Sequence, residues 1–168
     1  MKLVGVVFIG LIFSAITLPQ DASKLKPLPE KASLAETQKW LTEAIGKAAS
    51  YKAGRASVKA SNVKIDGCKV SFVTSKQSDS SVTETIGSTK TITSVKNNIS
   101  LDLAQFRAER ISIADNLYPN LMNIVFRRIV AGETPGKPVE FAVKAEDSER
   151  VLGGFRRLAS LCEERKQP

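Results

Sequence analysis

The run Leu3–Leu18 constrains this chain more than any other feature, because it is apolar almost throughout and stops at once at Pro19, Gln20 and Asp21. Lys2 places a positive charge in front of it. A basic start, an apolar core shorter than the about 20 residues a spanning helix needs, and an abrupt polar break form the pattern of a secretory signal peptide. Residues 1–21 are therefore expected to be removed on export, with small residues at Ala15, Thr17 and Ala22 offering places for the cut. The expected location is secreted or periplasmic. No second long apolar run follows, so no transmembrane segment is expected after processing.

Export in turn governs the sulfurs. The chain has two cysteines, Cys68 and Cys162. A single pair in an oxidising compartment tends to bridge. The bond would close a loop of 94 residues (162 − 68), worth about 4–5 kcal/mol in the chain-entropy model. Both cysteines fall on expected apolar faces, which suits a disulfide or two separate buried thiols.

Residues 22–32 hold Lys24, Lys26, Pro27, Pro29 and Lys31, and read as a flexible, solvated lead-in. Residues 33–168 are one domain's worth of chain. Ser33 three residues before Glu36 has the spacing of a capping box. Trp40, Leu41, Ala44, Ile45 and Ala48 then recur at helical steps, so a helix is expected from there to about Ser50, with Gly54 as its stop. Val63 and Ile65, then Cys68, Val70 and Phe72, alternate around Asp66-Gly67. That is a hairpin signal, with Ile65 expected opposite Cys68 and Val63 opposite Val70.

Beyond it, Lys76–Ser81 reads as a polar loop, and Val82–Ile86 and Thr89–Val95 as weak edge strands turning at Gly87-Ser88. Ile99–Leu103, Ile111–Ile113, Met122–Val130 and Val139–Val143 read as further strands, the last two as a second hairpin. The final helix is expected to be capped by Asp147 or Ser148, with Val151, Leu152, Phe155, Leu158, Ala159 and Cys162 as its apolar stripe. Gly153-Gly154 inside that helix reads as close approach to the sheet or as a gap for a ligand.

The fold class is thus α+β. An antiparallel meander or barrel of about six or seven strands carries an N-terminal helix and a C-terminal amphipathic helix packed on it. Such a meander closed by a terminal helix resembles the pleckstrin-homology-like barrel. The stretch Val63–Phe72, the Trp40 helix and the Phe155–Cys162 stripe also resemble a class of small exported bacterial proteins. The resemblance implies a fold and no activity. An open sheet with two helices on one face is the alternative.

The chemistry is bounded mostly by what is missing. The sequence has no histidine, which removes Ser-His-Asp and Cys-His arrangements and most zinc sites. A bridged cysteine pair leaves no thiolate nucleophile. No phosphate-cradling glycine loop or calcium loop appears, so no cofactor or metal is expected. A hydrolase working through an unmarked carboxylate pair stays open as an alternative.

The expected function is an exported, non-catalytic domain that binds another protein or an envelope surface. The net charge of +8 suggests a second version, a cationic domain taking anionic lipid, glycan or a small anion. Its candidate residues are Lys144, Arg150, Arg156 and Arg157, on and beside the last helix. The remaining basic residues are scattered along the chain, which is the pattern of a solvated surface. Nucleic acid is not expected, because the aromatics sit on core stripes and not beside the basic residues.

Overall fold

The computed structural model describes residues 25–84, 87–128 and 137–165. The expected signal peptide and the far ends of the expected strands Val82–Ile86 and Met122–Val130 lie outside them. The order is α1 (Leu34–Ala48), β1 (Tyr51–Ala53), β2 (Ala56–Asp66), β3 (Lys69–Glu84), β4 (Gly87–Asp102), β5 (Ile111–Asp115), β6 (Leu121–Phe126), β7 (Val139–Lys144) and α2 (Ala145–Glu164). Two 3-10 turns, Leu103–Gln105 and Ala108–Arg110, separate β4 from β5.

The α+β class holds, but the sheet does not close. One sheet has the order β1-β2-β3-β4 and a second has the order β5-β6-β7, all antiparallel. The barrel of the pleckstrin-homology-like resemblance is therefore not formed. The break has a local cause: at Leu103 the chain leaves the ladder, and its N–H donates to the Cys68 carbonyl at 2.8 Å as the first 3-10 turn begins.

Ser33 opens α1 as its spacing requires. Its Oγ accepts from the Glu36 N–H at 3.3 Å, while Glu36 Oε2 accepts from the Ser33 N–H at 2.8 Å. Leu41, Ala44, Ile45 and Ala48 are buried. The helix stops at Ala48, and Gly54 serves another turn. It sits at φ +59 in a two-residue loop between β1 and β2, a backbone state that glycine adopts at no steric cost. The lead-in is mostly exposed as expected, but it is also tied down. Leu25 and Ala32 are buried, and Lys26 O accepts from Trp40 Nε1 at 2.7 Å, so residues 25–32 are fastened to the helices.

The first expected hairpin exists with its turn displaced by one residue. Asp66 pairs with Lys69 and Ile65 with Val70, so the loop is Gly67-Cys68 and not Asp66-Gly67. Gly67 lies at φ +55 and Cys68 is not left-handed, which is what a type II′ turn with glycine first requires. Because the pairing shifts by two positions, Ile65 and Val70 keep their core-side faces. A bulge between Ser61 and Lys64, with Asn62 at φ 54, resets the register further along.

Strands β3 and β4 form one ladder from Lys69↔Asp102 out to Glu84↔Gly87. The polar loop expected at Lys76–Ser81 is strand, and Gly87-Ser88 lies in the ladder and not at a turn. Past Ser78, β3 has no partner on its β2 side among the described residues, so there the ladder is a two-stranded ribbon. Strand β6 ends at Phe126, so Arg127 and Arg128, inside the expected strand Met122–Val130, are both exposed beyond it.

The core lies between the sheets and under α2. Phe72 of β3 meets Phe141 of β7 edge-on at 4.9 Å, joining the two sheets. Phe155 of α2 meets Phe126 at 5.0 Å, and Phe106 reaches Phe126 at 5.8 Å. Edge-to-face pairs such as these are worth about 0.5–1.5 kcal/mol each beyond their burial.

Helix α2 starts at Ala145 straight off β7, ahead of the expected cap. Asp147 and Ser148 are instead buried inside its first turns, and the Ala145 N–H is satisfied by the Asn120 carbonyl at 2.9 Å. Cys162 on its apolar stripe bonds Cys68, with the Cα atoms 5.9 Å apart. The expected disulfide thus staples the last helix to the first hairpin turn. That turn is held further by Gln38 Nε2, which donates to the Gly67 carbonyl at 2.8 Å.

Candidate functional site

The four cations singled out on and beside the last helix do not form one patch. Arg156 Nε donates to the Ile111 carbonyl at 3.0 Å. Arg157 turns elsewhere, donating to the Ala32 carbonyl from Nε at 3.2 Å and from Nη2 at 3.0 Å. Lys144 sits at the far end, as the residue preceding α2 and the partner of Leu121 in the sheet. Arg150 and Arg157 line one groove, of about 270 Å³, between α2 and residues 27–30. Glu30 stands on its opposite wall.

The double glycine resolves into two cases. A Cβ on Gly154 would lie 2.6 Å from the Trp40 ring and 2.9 Å from Leu41, so Gly154 is where α1 and α2 touch. The close approach is to a helix, not to the sheet as expected. A Cβ on Gly153 would meet nothing within 4 Å. Gly153 faces the groove, and packing gives no reason for it.

The larger concentration of charge lies on the four-stranded sheet. Successive side chains of a strand point to opposite faces. Val70, Phe72 and Leu101 point to the core and are buried. Their neighbours on the outer face form rows across the strands. Lys59, Ser75 and Lys96 make one row; Lys64, Ser71 and Ser100 make another; Lys52, Ser57, Gln77 and Ser94 make a third. All four of these lysines are exposed. Lys59 and Lys96 are two strands apart, about 10 Å at the usual strand spacing.

Carboxylates are absent from the body of this sheet. Residues 51–64, 69–78 and 93–100 carry Lys52, Arg55, Lys59, Lys64, Lys69, Lys76 and Lys96 and no Asp or Glu. At the disulfide end of the face, Asp66 and Asp102 flank Lys69. Asp102 is also occupied in capping the next turn, accepting from the Ala104 N–H and from Gln105 Nε2, each at 3.2 Å. A hollow of about 470 Å³ opens on the face, lined by Lys52, Ser57, Lys59, Ser75 and Gln77, with Tyr51 at its margin.

This face escaped the sequence reading because its cations lie 5 to 32 residues apart in the chain (64 − 59 and 96 − 64). Register alone assembles them. The usable signal was the alternation of Lys and Ser from Ser57 to Lys64 opposite the apolar face of the same strand, together with the missing acids. Chemically the face offers several ammonium groups and many hydroxyls, a set of hydrogen-bond donors for sulfate, phosphate or carboxylate oxygens. Among the described residues no group of three or more His, Cys, Asp or Glu side chains is placed to hold a metal, and no helix is long and apolar enough to cross a membrane. No protein-family model, curated protein or solved structure matches this chain.

Proposed function

We propose that this chain is an exported, non-catalytic domain that binds an extended anionic surface through the outer face of its four-stranded sheet. The observation that carries this reading is the set Lys52, Lys59, Lys64 and Lys96 on one exposed face, with no carboxylate among them. Such a face is far more one-sided than the whole chain, whose 25 basic residues stand beside 17 acids. A one-signed face focuses potential toward an oppositely charged partner and speeds encounter. The disulfide supports export, since bridges of this kind persist in oxidising compartments. The lack of histidine supports a binding role, because no side chain titrates near neutrality at its ordinary pKa.

The test is retention of the folded chain on immobilised heparin as salt is raised. Retention at low salt, with affinity falling steadily to nothing near 1 M, where charges screen within about 3 Å, is the expected result. Passage through the matrix at low salt overturns the reading.

A further inference from the structure

Strand β4 closes the order β1-β2-β3-β4, so among the described residues no strand lies along its far side. It runs 16 residues, whereas the other terminal strands, β1, β5 and β7, run 3, 5 and 6. Its register with β3 is unbroken, so no bulge twists it away, and Thr93–Ser100 holds no proline. Exposed edges are commonly guarded by shortness, bulges, proline or charge. Of these, Thr93–Ser100 carries only a charge, Lys96.

The direction of the edge groups follows from the ladder. The turn at Gly67-Cys68 closes on Asp66 and Lys69, so odd-numbered residues of β3 bond β2 and even-numbered ones bond β4. The Cys68 carbonyl, which accepts from the Leu103 N–H, fits that series. On β4 the partners of even residues are Val95, Asn97, Ile99 and Leu101, whose main-chain groups turn toward β3. Those of Ser94, Lys96 and Asn98 therefore turn outward to the free edge, and their side chains lie on the cationic outer face.

We propose that this edge takes an extended antiparallel strand from another protein, one that alternates acidic and apolar residues. The outward groups give such a strand a donor and an acceptor at every second residue. Its side chains opposite Ser94, Lys96 and Asn98 come to lie on the outer face, at the end of the row Lys96-Ser75-Lys59. Thr93–Ser100 carries no acid, so carboxylates suit those positions. The alternate side chains lie beside Val95, 49 % exposed, and half-buried Ile99, where apolar groups gain cover. A second copy of this chain fits worse. Self-pairing about the middle of the edge sets one Lys96 beside the other, and like charges placed opposite destabilise a ladder. Binding at the edge works through main-chain groups and does not require a polyanion on the lysine face.

The test titrates the full chain with a short synthetic peptide carrying glutamate at every second position and valine or threonine between, read by the amide resonances of Ser94, Lys96 and Asn98. The peptide is expected to bind. In antiparallel addition the glutamates are the residues whose N–H groups face β4. Methylating those nitrogens is expected to weaken binding about tenfold or more, while methylating the valine and threonine nitrogens, at the same net charge, leaves it unchanged. Asn98→Pro removes an outward N–H without touching the β3 ladder. It is expected to abolish peptide binding and to leave heparin retention unchanged, with the unfolding midpoint showing that the variant folds. Lys96→Glu is expected to weaken the peptide about fivefold. Equal binding of the two methylated peptides overturns strand addition and leaves charge alone. Failure of the unmethylated peptide to bind overturns it as well, whatever the retention on heparin, so edge and face fail separately. A dimer of the unaltered chain that Asn98→Pro dissociates puts a second copy on the edge and overturns the acidic partner.

Discussion

The three-stranded sheet spends its side chains on the core: Ile111, Leu121, Ile124, Phe126, Phe141 and Val143 are all buried, on strands of five or six residues. The four-stranded sheet runs β3 and β4 for 16 residues each and covers the core with only part of that length. Val70, Phe72 and Leu101 are buried near the disulfide end, whereas Val95, on the same face further out, is 49 % exposed. One sheet is a wall of the core. The other is a wall at one end and a platform along its outer face. Substitutions should therefore act on stability in the first region and on binding in the second, and the disulfide ties the second to helix α2, which follows the first.

The largest effect is expected at that tie. Cys68→Ser with Cys162→Ser should lower the unfolding free energy by about 4–5 kcal/mol, from the entropy restored to a long loop. Denaturant unfolding of the variant, and of the native chain with and without reductant, measures this. A loss below 1 kcal/mol would mean that packing alone holds α2 to the first hairpin.

The next effect separates the two adjacent glycines. Gly154→Ala should cost about 1–3 kcal/mol, since its methyl would press on Trp40, itself held by the Lys26 carbonyl. Gly153→Ala meets nothing and should gain about 0.5–1 kcal/mol from helix propensity. Thermal unfolding of the pair distinguishes them; equal shifts would contradict the close contact of α1 with α2.

The smallest effect concerns the start of α1. Ser33→Ala should cost about 1 kcal/mol through loss of the cap. Hydrogen bonds from the Ser33 backbone N–H, and then from its hydroxyl, hold the Glu36 carboxyl below its usual 4.5. A carboxyl depressed in the folded state adds stability above its unfolded pKa and loses it as pH falls through the folded value. The native chain should therefore lose this contribution below pH 4.5, and Ser33→Ala, which keeps the backbone donor and loses the hydroxyl, should flatten that part of the profile only in part. Acid unfolding curves of the two proteins check it.

Features set by local chemistry were readable before the structure. Ser33 and Glu36 announced the cap by spacing, Val151 to Cys162 announced the buried stripe by period, and two cysteines in a chain expected to be exported announced their bond. The hairpin at Gly67 was readable in place but not in register, because Asp-Gly and Gly-Cys each suit a two-residue turn and differ only in which residue takes positive φ. The long β3–β4 ribbon was not readable. Thr74–Ser81 holds only Ser, Thr, Gln, Lys and Asp and has no apolar face, and loop and ladder then look alike. The cationic face was least readable of all, since Lys59 and Lys96 become neighbours only through Ser75 on the strand between them. Conversely, Arg156 and Arg157 looked like a patch because they are adjacent in sequence, yet each serves a different backbone carbonyl.

The account turns on the sheet's outer face being a binding surface that the fold does not need. Replacing Lys52, Lys59, Lys64 and Lys96 with threonine, and measuring both the unfolding midpoint and heparin retention at low salt, tests this most directly. Threonine suits a strand, so the midpoint should shift by no more than about 0.5 kcal/mol per site while retention disappears. Full retention by the folded variant would place the binding charge elsewhere and contradict the account.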